Sequence, residues 1–362
     1  MKKIVTKAVL LFFLIYIPIV AINIIADPAN IWRPGIVDEV VKHLNNGEIV
    51  EGSFDMDEGE FQKRMIASMS STPNTVIIGS SHSMYEEWPF DDYYVAGLSG
   101  AYLGDYYAIV GLLNEYDRLP NRIVIGVDPW AFMSDETSGR HQSIKQYSVI
   151  AVSLVNGEKQ HKNTSFAGKY EFEKAKEMMS FSYFQSSIDL IKRNGFPKNI
   201  DNNVGQVKLA SSDKMDGDAK ILPNGRRVFS SIEVKSLQEN NADAEAAIRD
   251  NSIYQLGRGF TELQWDNLNS FDNLVQYLQD NGIEVIFYLH PWYPSVYDYF
   301  KAEDNYSGVI KTEEYILNMA KEKNIELHGS FDPELCGVNE NDFRDWFHLE
   351  PDKMMKCYEV IR

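Results

Sequence analysis

Three short runs rich in β-branched residues set the limits on what this chain can fold into. They are Thr75 to Gly79 (TVIIG), Arg122 to Val127 (RIVIGV) and Ile283 to Leu289 (IEVIFYL). None alternates polar with apolar, so each predicts a strand buried on both faces. A weaker fourth run covers Asn324 to His328. Helical patterns lie at Tyr102–Tyr116, Leu263–Asn281 and Thr312–Lys323, each just before a strand, and the second ends at Asn281-Gly282, a helix stop. Strands alternating with helices predict an α/β fold with a parallel sheet covered on both sides. In such sheets ligands bind beyond the carboxyl ends of the strands, so the residues after each strand are the ones to read for chemistry.

The amino terminus is of another kind. Ala8 to Ala26 is 19 residues without a charge, and Asn23 is its one strongly polar side chain. At about 1.5 Å per residue, such a helix nearly spans a hydrocarbon core of roughly 30 Å. Lys2, Lys3 and Lys7 precede it, with no acidic residue. The positive-inside rule then gives a cytoplasmic amino terminus and an extracytoplasmic remainder. A cleavable signal peptide is the alternative, but the apolar run is long and no clear small-x-small site precedes Asp27-Pro28.

Residues 27–73 read as a juxtamembrane segment with a helix near 58–71. Residues 74–362 read as the main domain, interrupted at about 134–260 by a polar stretch. That stretch holds a helical pattern at 164–194, the clusters Asp201-Asn202-Asn203 and Ser211-Ser212-Asp213, and a turn at Pro223-Asn224-Gly225. It is expected to act as a lid or substrate-shaping insertion. Composition narrows the function further. With 35 Lys and Arg against 53 Asp and Glu, the net charge is −18, which argues against a nucleic-acid partner. Two cysteines, Cys336 and Cys357, exclude a Cys-rich metal module and leave a disulfide between them open. No metal or other cofactor is expected.

Chemistry gathers at three places. Gly79-Ser80-Ser81-His82 follows the first strand, where a small-residue turn can hold a hydroxyl beside free backbone N–H groups. Gly97 to Gly100 opens the next helix, and glycine there lets backbone amides face a reacting carbonyl. Asp345-Trp346-Phe347-His348 lies near the carboxyl end, a carboxylate three residues before a histidine, the spacing for an oriented general base. Each is weak alone, since N-capped turns and surface pairs are common; the order Ser, Gly, Asp-x-x-His is more specific.

These blocks resemble the SGNH/GDSL hydrolase superfamily. Gly-Ser-Ser in place of Gly-Asp-Ser is similar to its membrane-anchored branch, which includes DltD and the alginate O-acetylation proteins. The resemblance covers roughly residues 74–132 and 262–350. It implies a flavodoxin-like three-layer α/β/α fold and acyl-ester chemistry outside the membrane. Ser81 would be nucleophile, His348 base and Asp345 its orienter, with the Ser81 and Gly100 amides forming the oxyanion hole. One position departs. Where the superfamily has Gly-x-Asn, this chain has Gly126-Val127-Asp128, and an ionised Asp cannot donate to an oxyanion. Asp128 would bind sugar hydroxyls or hold the loop instead.

Two strand ends share a pattern, Asp128-Pro129-Trp130 and His290-Pro291-Trp292. Their indole rings either close the top of the core or offer a flat face to a sugar ring. Asp128, Trp130, His290 and Trp292 are therefore candidate substrate contacts. His290 is also a rival base for Ser81, while His82, beside the nucleophile, is expected to point elsewhere. The combined expectation is an anchored enzyme moving an acyl group, taken as acetyl, onto a cell-envelope or exported polysaccharide. By resemblance, the acyl donor comes from a membrane-bound O-acyltransferase. A carbohydrate esterase with the same triad, a non-catalytic assembly subunit and an unrelated α/β binding protein are the alternatives.

Overall fold

The computed structural model describes residues 14, 16–27, 35–52, 56–133, 141–158, 179–194, 207–231 and 234–362. Within them, nine strands occur: β1 (Ile49–Glu51), β2 (Thr75–Ile78), β3 (Tyr93–Val95), β4 (Arg122–Val127), β5 (Lys208–Ala210), β6 (Lys220–Ile221), β7 (Arg227–Val228), β8 (Glu284–Leu289) and β9 (Glu326–Gly329). Five form a sheet in the order β3-β2-β4-β8-β9, and every pairing is parallel. All four residues of β2 and five of the six in β4 are buried. Successive side chains point to opposite faces, so burial at every position means that both faces are covered. The fold is α/β, as the uninterrupted apolar runs required.

The strand order reverses between β2 and β4. From β2 the chain steps outward to β3, then returns to the other side of β2 and continues through β8 and β9. Such a reversal opens a crevice at the carboxyl ends of the two strands that flank it. The segments that leave β2 and β4 carry Ser81 and Asp128, so the topology puts both beside one crevice.

The helices fall close to their sequence limits: Leu103–Glu115, Trp265–Asp280 and Ser307–Lys323. The last begins five residues earlier than its pattern suggested, because a short 3-10 turn, Asp304–Tyr306, feeds directly into it. The helix expected near 58–71 is Glu58–Ser68, capped by Asp57, whose carboxylate accepts from the Glu60 amide at 2.9 Å. Strand β3 had no apolar run to announce it. As an edge strand it needs only one paired neighbour.

The polar stretch 134–260 is tied to the main domain at several points. Helix Lys145–Val155 lies against Leu103–Glu115, so closely at Gly111 that an added Cβ would sit 2.1 Å from the Tyr147 carbonyl oxygen. Strands β5, β6 and β7 join β1 in a second, antiparallel sheet of order β5-β1-β6-β7. The segment before residue 74 and the insertion therefore share one sheet. The predicted turn at Pro223-Asn224-Gly225 is the tip of the β6–β7 hairpin. Its Asn224 carbonyl accepts from the Val95 amide at 2.8 Å, which covers the outer edge of β3.

At the amino terminus, residues 16–26 are helical. Asn23 is buried and accepts from the Ser187 hydroxyl of helix Phe181–Asn194 at 3.0 Å; Asp27 accepts from Tyr183 of the same helix at 2.7 Å. Among the described residues no helix is long and apolar enough to cross a membrane. The start of the apolar run, the first part of the pattern at 164–194 and the Asp201-Asn202-Asn203 cluster lie outside the described residues.

Cys336 and Cys357 are both free and buried, and the Cys357 thiol is hydrogen-bonded to Cys336. That contact and the surrounding apolar packing push the Cys357 thiol far up from its ordinary range. Burial shields both thiols from reagents, and at Cys357 the reactive thiolate is also disfavoured, so both should be inert in the native fold. A thiol reagent at neutral pH is expected to label neither until denaturant is added, then both. Fast labelling of the folded protein would contradict this packing.

Candidate active site

Ser80 starts the site. Its hydroxyl accepts from the His82 amide at 3.2 Å and caps a single helical turn, Ser81–Met84, just after β2. That turn puts Ser81 at the crevice and leaves it 6% exposed. The Ser81 Oγ lies 3.0 Å from His348 Nε2 across 267 positions of chain. His348 Nδ1 lies 2.9 Å from Asp345 Oδ2. An imidazole that donates Nδ1–H to a carboxylate presents a lone pair at Nε2, the arrangement needed to accept the serine proton.

The loop carrying this pair is held by its own backbone. Asp345 Oδ1 accepts from the Phe347 amide at 2.8 Å and the His348 amide at 2.6 Å. Burial alone would raise the Asp345 carboxyl, but these bonds and the imidazole outweigh it and hold the group at about 2. For His348, burial lowers the imidazole, Asp345 works against that, and charge at His82 and Arg344 adds to the lowering. The net direction is down, while the side chain keeps 19% of its surface in contact with solvent. His348 is therefore neutral near pH 7 and able to take a proton.

The other two candidate histidines, His290 and His82, lie nearby but bond other partners. His290 Nε2 is 3.1 Å from Ser83 Oγ, so its bond goes to Ser83 and not to Ser81. Burial, with charge at His82 and His348, drives the His290 imidazole well below its ordinary range. His82 Nδ1 is 2.7 Å from Asp128 Oδ1, and its Nε2 is 3.1 Å from the Phe347 carbonyl oxygen. Asp128 is 1% exposed, so its side chain holds His82 in the interior and does not face the crevice. Trp130 and Trp292 are buried too, with the Trp130 indole N–H donating to the Ala101 carbonyl at 2.9 Å. Their rings pack around Phe347, at 6.0 and 5.4 Å between centroids. Asp128, Trp130, His290 and Trp292, the candidate substrate contacts, are all buried: the two indoles close the core, Asp128 holds His82, and His290, the rival base, bonds Ser83. The physical reason is that the strand ends converge beneath the site, and large rings fill the space between them.

The glycine block lies against the nucleophile turn. The Leu98 amide donates to the Gly79 carbonyl at 3.0 Å, and a Cβ on Gly97 would fall 2.4 Å from Met84 Cγ. Gly100 has φ +58°, the left-handed region that favours glycine. Among the hydrogen bonds of the described residues, neither the Ser81 nor the Gly100 amide donates to a protein acceptor.

Several contributors carried no sequence signal. Glu58 accepts from the Ser99 amide at 2.7 Å and the Ser99 hydroxyl at 2.9 Å, so it anchors the glycine block. Burial would raise its carboxyl, but Arg227 at 2.8 Å and His141 at 3.4 Å pull it far down instead. His141 in turn is lowered by burial but carried up to about 9 by Asp105 and Glu58. Phe229, just after β7, stacks on Tyr85 at 3.5 Å, and both rings edge His348 at 5.5 and 5.9 Å. The insertion thus supplies one wall of the crevice. Only the spatial meeting of distant segments reveals these residues. No family model matches the chain, and no curated protein matches it.

Proposed function

We propose that the protein is an SGNH-type serine enzyme of flavodoxin-like three-layer fold, which transfers an acyl group, taken as acetyl, to a hydroxyl of a cell-envelope or exported polysaccharide. The observation that carries this reading is the chain of contacts from Asp345 through His348 to Ser81, at 2.9 and 3.0 Å. A surface Asp-His pair has no reason to meet a serine at a strand's carboxyl end. In the proposed cycle His348 Nε2 takes the Ser81 proton as Oγ attacks the donor carbonyl. The tetrahedral oxyanion is held by the Ser81 and Gly100 amides. His348 then returns the proton to the leaving group and an acyl-Ser81 ester remains. A sugar hydroxyl, deprotonated by His348, attacks that ester, and His348 returns the proton to the departing Ser81 oxygen, which frees the enzyme.

Asp128 bonds to His82, so the oxyanion in this scheme relies on backbone amides alone. The anchor at residues 8–26 belongs to the same proposal. It fixes the enzyme outside the membrane, where a membrane-bound O-acyltransferase would deliver the acyl group. Water in place of the sugar would make the protein a carbohydrate esterase. The two are separated by product: acylated polysaccharide for transfer, free acid for hydrolysis.

A fluorophosphonate should modify the full-length protein at Ser81, and Ser81→Ala should abolish the adduct in mass spectrometry. A folded wild-type chain that takes no label at saturating reagent would refute the nucleophile. Asp345→Asn should leave the fold intact and lower the labelling rate by roughly 10²- to 10⁴-fold, because the imidazole loses its orienting carboxylate. The pH profile follows from the direction of the His348 shift. Its folded value lies below 6.5, and the neutral form is the base. Labelling is therefore expected to be on its plateau at pH 7 and to fall on acidification with a midpoint under 6.5. A midpoint above about pH 7 would exclude His348 as the titrating base.

A further inference from the structure

We propose that His82 is a positioning residue for His348, acting through the peptide group that joins Phe347 to His348; this deepens the reading above and rests on it. The carbonyl oxygen of that peptide lies 3.1 Å from His82 Nε2. Its N–H, which belongs to His348, lies 2.6 Å from Asp345 Oδ1. One peptide plane is therefore gripped from both sides, by His82 on its carbonyl and by Asp345 on its amide. Rotation of this plane would swing the His348 Cα and carry the imidazole off Ser81, so the grip fixes the 3.0 Å approach of Nε2 to Oγ.

The chemistry of the partners gives His82 its direction. A backbone carbonyl only accepts, so the ring nitrogen that faces it must be a donor. Asp128 is buried, and its Oδ2 has no hydrogen-bond partner among the described residues, so His82 is the side chain that its carboxyl group holds. The Nε2 that faces the carbonyl therefore carries the hydrogen and donates it, while Nδ1 bonds Asp128 Oδ1 at 2.7 Å. Packing completes the clamp. The His82 ring lies 4.3 Å from the Phe347 ring and 5.5 Å from that of His348, and its side chain is 5% exposed.

His82 is also the residue after Ser81 in sequence. The nucleophile and the peptide that carries its base are thus linked through two consecutive residues of one helical turn. Displacement of a reacting group by about 1 Å can cost roughly 10²-fold in rate, which sets the scale of the expected effect. Asp128, at the position where an Asn would be a direct oxyanion donor, acts here at one remove: it holds His82, and His82 holds the His348 peptide.

Two substitutions separate this role from simple packing. In His82→Gln the amide nitrogen reaches the place of Nε2 and keeps a donor on the Phe347 carbonyl. In His82→Asn the shorter amide reaches only the place of Nδ1 and loses it. Labelling of Ser81 by a fluorophosphonate is expected to slow roughly 10- to 100-fold in His82→Asn, and His82→Gln should recover most of that loss. Thermal unfolding measured on the same samples should show both variants folded at the labelling temperature, although His82→Gln leaves the Nδ1 place beside Asp128 empty. Wild-type labelling in His82→Asn, or equal loss in both variants, would overturn the proposal. The ring nitrogens of ¹⁵N-histidine-labelled protein give a readout independent of activity. The His348 Nδ1–H resonance should survive in wild type and His82→Gln and broaden or shift in His82→Asn. If wild type takes no label, the proposed function fails, and this resonance alone decides the clamp. A His348 signal identical in all three proteins would then overturn it.

Discussion

The hydrogen bond between Ser81 and His348 exists because a parallel sheet cannot leave its polar ends scattered. Strands β2, β4 and β8 are buried along nearly their whole length, so the chain can carry polar side chains only where it leaves the sheet. Three strands that run side by side in one direction leave it at one edge. Ser81, Asp128 and His290 lie just past those ends, and the Asp345–His348 loop closes over them. Removing the sheet's two-sided cover would remove the reason for this convergence.

The crevice is then stiffened by charge that would be costly if it were unpaired. Glu58, Arg227, His141 and Asp105 form a network under the glycine block, and each is drawn from a different part of the chain. Asp128 and His82 do the same beneath the His348 loop. Breaking such a pair by removing one partner leaves a desolvated charge, which costs about 3–5 kcal/mol. The two networks hold the glycine turn and the histidine loop, together with the aromatic rings of Phe229, Tyr85 and Phe347 that pack around His348. They also explain the part of 134–260 that lies near the site. Arg227 and Phe229 come from the β6–β7 hairpin and the residues just after it, so this stretch furnishes an ion-pair partner and an aromatic wall.

Much of the fold was legible in the sequence, because burial on both faces leaves a mark that needs no context. The runs at 75–79, 122–127 and 283–289 had to be strands in the middle of a sheet, and they are. The edge strand β3 was not legible, since Tyr93–Val95 pairs on one side only and its burial depends on a neighbour. Nor was the second sheet, whose strands are two or three residues long and whose pairing joins residues 49–51 to 208–221. Short strands take their conformation from their partners, and no local pattern records a partner so far away.

The site divides in the same way. Sequence alone determined which groups were chemically able to act: a serine after a buried strand, a glycine turn, and a carboxylate three residues before a histidine. Covalent spacing decides that Asp345 can reach the His348 ring, so that pair was readable. Tertiary structure alone decided which histidine faces which hydroxyl. His348 meets Ser81, His290 meets Ser83 and His82 meets Asp128, and all three rings lie within one cluster. It also decided that the Trp130 and Trp292 rings turn inward. Hydrogen-bond partners separated by 46 to 267 positions are chosen by the packing of the sheet's edge, and that choice leaves no trace in local sequence.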